Sequence, residues 1–135
     1  MKIAMEKLRR IILDGRTFPV KFDLNVLEQI QEEYGSVYEF ERKILGLEVA
    51  RDENGRVIYD DDKKPVMLSV EPSIKAIKTV LPLMINEGLA IEAEETGKGW
   101  APVNDLWVFS NCSIDFNVLA KMIHAEFKRC FETKK

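Results

Sequence analysis

Apolar and polar positions change period along the chain, and each change marks an element. Leu8–Leu13 and Thr17–Phe22 are rich in β-formers and flank Asp14-Gly15, a favoured two-residue hairpin turn. In the second run Phe18, Val20 and Phe22 alternate with Thr17, Pro19 and Lys21, which predicts one apolar face. Pro19 has no N–H to give a ladder, so this strand is expected to have an open side there. The period then shifts to helical. Asp23 fits an N-cap, Val26, Leu27, Ile30 and Tyr34 share a face, and Gly35 is a stop. Ser36-Val37-Tyr38-Glu39 reads as a capping box for a second helix, with Val37, Phe40, Ile44 and Leu45 apolar and Gly46 ending it. Helices this short are marginal alone, so they must pack on the hairpin or on each other.

Residues 47–66 break the pattern. Two β-like runs around Asn54-Gly55 predict a surface hairpin near residues 47–60, followed by a mobile loop through Asp60–Lys64. A long apolar helix follows, with Ser69 as its expected cap and Pro72 in the first turn. Its predicted face is Ile74, Ile77, Leu81, Met84 and Ile85. Pro82 is expected to kink or divide it, and Gly88 to end it. Ala90–Glu95 reads as a short helix of its own, and 96–111 as a loop with apolar anchors. The last helix is capped by Ser113 or Asp115, with Phe116, Leu119, Ala120, Ile123 and Phe127 as its stripe. No internal repeat is evident. The fold class that follows is α+β: one domain, with an N-terminal β-hairpin on a small helical bundle and an extra surface hairpin.

Composition adds limits rather than a function. An apolar fraction of 46% suits a globular chain. The formal charge of −3 gives no general pull toward nucleic acid or anionic membrane, and no apolar run is long enough to span a bilayer. Charge is uneven: residues 1–22 hold six basic and two acidic groups, residues 23–64 hold twelve acidic and six basic. The first residues carry charges where a signal peptide needs an apolar core. Cys112 and Cys130 have no metal-type or redox-type spacing, and we expect reduced thiols in a cytoplasmic protein.

Taking Gly55 as the sixth position of a calcium loop would put Ala50, Asp52, Asn54 and Asp61 at ligand positions. Ala50 offers no side-chain oxygen, and the closing Glu is missing. Asp60, Asp61 and Asp62 diverge on most backbones and adjoin Lys63 and Lys64. His124, the single histidine, falls off the apolar stripe and has no nucleophile at helical spacing; Cys112 reads as a small buried group. "TGKGWAP" lacks phosphate-loop spacing. The helix of Glu39, Glu41, Arg42 and Lys43 is too acidic for a recognition helix. No catalytic, cofactor or metal residue is therefore expected, which points away from an enzyme. The candidate contact residues are the aromatic groups Tyr34, Tyr38, Phe40, Trp100 and Trp107.

The stretch "LDGRTFPVKFDLNVLEQIQEEYGSVYEF" resembles the start of tail assembly chaperones from phages and prophages of Gram-positive bacteria with long non-contractile tails. Asp14, Gly15, Phe18, Val20, Phe22, Leu27, Ile30, Tyr34 and Gly35 fill the pattern. "SIKAIKTVLPLMINEGL" and the closing helix are similar to the family's later helices, while 47–66 and the Trp loop depart from its shorter members. The resemblance implies an assembly factor in the host cytoplasm that holds the tape measure protein, recruits tail tube subunits and is left out of the virion. It leaves self-association open. It also implies a longer form made by frameshifting, for which adjacent lysine codons at Lys134–Lys135 offer a site. A prophage-borne regulator that uses the basic ends is the first alternative, and a small ligand-binding domain around the tryptophans the second. Salt-sensitive DNA binding or ligand quenching of tryptophan fluorescence would tell them apart.

Overall fold

A computed structural model describes residues 8–132, and Met1–Lys7 and the Lys134–Lys135 pair lie outside them. The chain runs β1 (Arg9–Leu13), β2 (Arg16–Val20), α1 (Leu24–Tyr34), α2 (Val37–Leu45), β3 (Leu47–Val49), β4 (Met67–Ser69), α3 (Ile74–Thr96), α4 (Asp105–Ser110) and α5 (Phe116–Cys130). The class is α+β, with the hairpin β1–β2 laid on helices.

Residues 8–46 follow their local signals. Asp14 and Gly15 both take positive φ, as the turn between two right-twisted strands requires, and Arg9 pairs with Val20 through to Leu13 with Arg16. The Asp23 carboxylate accepts the N–H groups of Asn25 and Val26, and the Ser36 hydroxyl those of Tyr38 and Glu39. Each cap contributes about 1 kcal/mol. Glu39 spends its carboxylate on Arg42 and Lys43, so the pair acts as a cap plus an ion-paired turn. Gly46 ends α2 at φ 73°, and a Cβ there would stand 2.3 Å from the Val70 carbonyl oxygen. The corner therefore needs glycine for both conformation and space.

Helix α3 is the axis of the molecule. Ala76, Ile77, Val80, Leu81, Met84 and Ile85 are buried along it, together with Pro82 and Gly88. Four expectations change here. The cap is Ser73, whose hydroxyl accepts the Ala76 N–H, because Ser69 is taken into β4. Pro82 does not divide the helix; its ring is one of the buried groups. Gly88 does not end it: α3 runs on through the expected 90–95 helix to Gly97. Ile74, the first helical residue, is exposed rather than on the core face. Gly88 is where β2 crosses. An added Cβ would lie 2.5 Å from the Pro19 carbonyl oxygen and 2.9 Å from the Val20 nitrogen. Beside it the Lys21 N–H donates to the Met84 carbonyl at 3.0 Å. The open side expected of the Pro19 strand is thus closed against a helix, and Phe18, Pro19 and Val20 are all buried, not only one alternate set.

The core joins Leu13, Val20, Phe22, Ile30, Phe40, Ile44, Leu81, Met84, Ile85 and Ile123. Phe22, Phe40 and Phe127 form an aromatic knot with centroids 5.3–6.1 Å apart. Phe116, expected on the α5 stripe, is only partly buried, and Glu126 takes a buried place instead. Arg9 and Arg129 meet its carboxylate at 3.5 and 3.3 Å, which ties β1 to α5 and compensates the buried charge.

The excursion differs most from expectation. β3 and β4 form a stem, and above it the expected turn at Asn54-Gly55 closes a short antiparallel bridge between Arg51 and Val57, while residues 60–64, expected as a mobile loop, make a second turn under a Tyr59–Pro65 bridge. In each turn an Asp carboxylate accepts the second and fourth following N–H groups: Asp52 those of Asn54 and Arg56, Asp60 those of Asp62 and Lys64. The fourth residue of each turn, Gly55 or Lys63, has positive φ. The N–H of Ala50 donates to Val66, that of Val66 to Ile58, and that of Ile58 to Ala50, at 2.8–3.0 Å. Three segments eight residues apart therefore close a ring of backbone bonds. A period-eight repeat is present after all, hidden because its members share turn geometry but few side chains.

Substituting Gly88→Ala gains helix propensity of up to about 1 kcal/mol but pushes β2 off α3 and breaks the Lys21–Met84 bond. The net expectation is a loss of about 2 kcal/mol, read from urea unfolding. Phe40→Ala is expected to cost about 3–5 kcal/mol by the same measurement.

Candidate partner-binding surface

The five aromatic candidates do not converge. Phe40 is fully buried in the knot and offers no surface; it is a core residue. Tyr34 is half-buried, 5.7 Å from the Phe40 ring, with its hydroxyl 3.5 Å from Thr79 Oγ1, so it fastens α1 to α3. Trp107 lies on α4, not in a loop. Its ring meets Phe18 edge-on at 5.7 Å, and the Arg16 guanidinium sits over both rings. It is an anchor for the hairpin. Only Tyr38, 70% exposed, and Trp100, 45% exposed, present large surfaces, and they belong to different ones.

Tyr38 borders a groove of about 380 Å³ between α2 and α5. Val37, Phe127 and Phe131 give it an apolar floor and wall, with Glu41, Lys128 and Glu132 at the rim. Phe131 is 56% exposed and stands edge-on to Phe127 at 5.1 Å. The sequence reading ended the α5 stripe at Phe127, yet Phe131 is its i+4 neighbour and would have extended it. His124 lies on the same two helices. Its Nε2 is 3.1 Å from Glu41 Oε2 and its ring stacks near Phe127, which occupies it in joining α2 to α5.

Trp100 covers a second hollow, of about 270 Å³, with Leu83, Asn86 and Ala90 of α3 and Gln29 of α1. Asn86 Oδ1 accepts the Val103 N–H at 2.8 Å and holds the Trp-bearing loop to α3. Asn104 then caps α4 by accepting the Trp107 N–H, a cap signal missed in the sequence.

Two groups have shifted acidity. Glu87 is pushed above the usual carboxylate range, mainly by burial and then by a hydrogen bond from its carboxyl to the Asp23 cap. The Cys130 thiol is pushed up by burial and by the negative charge of Asp23. Among the described residues no three His, Cys, Asp or Glu side chains stand together to hold a metal ion, and no helix is long and apolar enough to cross a membrane. In the excursion the Asp52 carboxylate is engaged by its own turn. Comparison with family models, curated proteins and solved structures returns no match.

A carboxyl whose pKa rises on folding adds stability below the ordinary carboxylate range, and that contribution is lost as pH climbs through the raised value. Glu87→Gln removes this dependence. The variant is expected to melt higher than the native chain near pH 7, with the gap closing toward about pH 4. A constant gap in thermal scans at both pH values would dismiss the assignment.

Proposed function

We propose that this protein is a tail assembly chaperone of a long-tailed phage or prophage. It is a non-enzymatic factor in the host cytoplasm that holds the tape measure protein, recruits tail tube subunits to it and stays out of the finished virion. The resemblance over residues 13–40 is the starting point. The observation that carries the reading is the open apolar groove between α2 and α5, walled by Tyr38 and Phe131 and edged by charges. Such a groove suits one face of an amphipathic helix, and a tape measure protein offers such faces many times over. Repetition matters because weak single contacts add along one long partner. An acidic middle section keeps unloaded copies apart.

The test is capture of tagged protein from cells in which the source prophage is induced, with the bound proteins identified by mass spectrometry. A very long helical tail protein or the tube subunit is the expected catch. Tyr38→Ser together with Phe131→Ser should reduce it at least about tenfold while leaving the helical circular dichroism unchanged, since both side chains are mostly exposed. Recovery of nucleic acid instead, released by modest salt, would replace this reading with a regulator.

A further inference from the structure

We infer that the excursion is an exchange arm, and that two copies of this chain embrace by laying each arm over a groove on the other. This inference does not rest on the proposed function; it uses an adjoining groove that shares Lys128 with the first.

The arm is built to keep its shape without a body to lean on. Its ring of three backbone bonds and its two Asp-anchored turns satisfy the main chain internally. From Arg51 to Pro65 every side chain except Val57 is exposed. Nevertheless the arm is apolar in the wrong places for a solvated loop. Five of the fourteen large apolar side chains that stand exposed among the described residues are Ile58, Tyr59, Met67, Leu68 and Val70. A free arm that shows this much apolar surface is shaped for cover.

The same chain carries a matching surface at the arm's root. A groove of about 640 Å³ runs between the end of α2 and the outer face of α5, with Leu45, Val70 and Ala125 among its apolar lining. Its charged lining is Lys121 and Lys128, with no carboxylate, and His124 lines it while paired with Glu41 from behind. Residues 47–69 carry six carboxylates against four basic groups, three of the six at the Asp60–Asp62 tip beside Lys63 and Lys64. The signs are complementary, and a second copy brings acidic arm and basic groove together twice, which favours it over an apolar stranger. The placement also selects the symmetry. Val70 belongs to both the arm's root and the groove wall, so a two-fold axis beside it lets both arms cross at once and closes the assembly at two.

Sedimentation velocity over a wide concentration range tests this. The native chain is expected to be a monomer–dimer equilibrium that loosens with salt. A variant in which an Asn-Gly turn joins Ala50 directly to Val66, which already face each other, should be monomeric with unchanged helical circular dichroism. Lys121→Glu with Lys128→Glu should weaken the dimer at least about tenfold, and adding Asp61→Lys with Asp62→Lys should recover part of the loss. A native chain that stays monomeric at its highest soluble concentration overturns the inference. So does a dimer indifferent to arm shortening, or growth into open chains.

Discussion

Strand β2 lies directly on helix α3, backbone against backbone, and the rest of the fold is arranged around that approach. It is possible because Gly88 has no side chain where Pro19 crosses. It is held because the Lys21 N–H finds the Met84 carbonyl. A two-stranded hairpin is barely stable by itself, with two open edges and one apolar face. Here one edge is closed by a helix, and Phe18, Val20 and Phe22 are delivered into the core together. α1 and α2 then follow from β2 by a short connection, and their inner residues Ile30, Phe40 and Ile44 fill the space beside α3.

The outer helices are fastened by polar pairs as well as by packing. Glu126 joins α5 to β1 through Arg9, His124 joins α5 to α2 through Glu41, and Arg10 joins the hairpin to Glu92 on the far half of α3. Exposed pairs of this kind contribute little each, but the buried Glu126 is different: removing its arginines would strand a charge away from water. These ties give α5 a fixed position against α2. That fixed position makes the Tyr38–Phe131 groove a defined surface and not a transient one.

Under the proposed function, contact falls to what the core leaves uncovered. The groove of α2 and α5, the Trp100 hollow and the arm are three separate surfaces on one small body. Separate surfaces suit a protein whose work is to bring other chains together: one face can hold a partner while another meets a second partner or a second copy. Aromatic residues divide accordingly. Phe40 and Tyr34 build the body, Trp107 clamps the hairpin under Arg16, and Tyr38, Phe131 and Trp100 stay exposed.

Signals confined to a few neighbouring residues were legible in the sequence. The Asp14-Gly15 turn, the Asp23 and Ser36 caps, and the Gly35 and Gly46 stops all act within one helical turn or one hairpin loop, so no distant residue can overrule them easily. Most of the apolar stripes of α1, α2 and α5 was legible for the same reason, since a helix fixes which positions share a face, but Leu45 at the end of α2 is exposed and Phe116 at the start of α5 only half-buried. What depended on distant chain was not legible. Gly88 reads as a helix stop until a strand lies across it, and Pro82 reads as a break until the core surrounds its ring. Ser69 reads as the cap until β3 pairs with it, and the cap then falls to Ser73. Tyr38 and Phe40 are two positions apart on one short helix, and Phe40 is buried against the rings of Phe22, Tyr34 and Phe127 while Tyr38 stays exposed. The arm lay further still from sequence reasoning, because its repeat is a repeat of backbone hydrogen bonds, and those bonds form only when three segments meet in space.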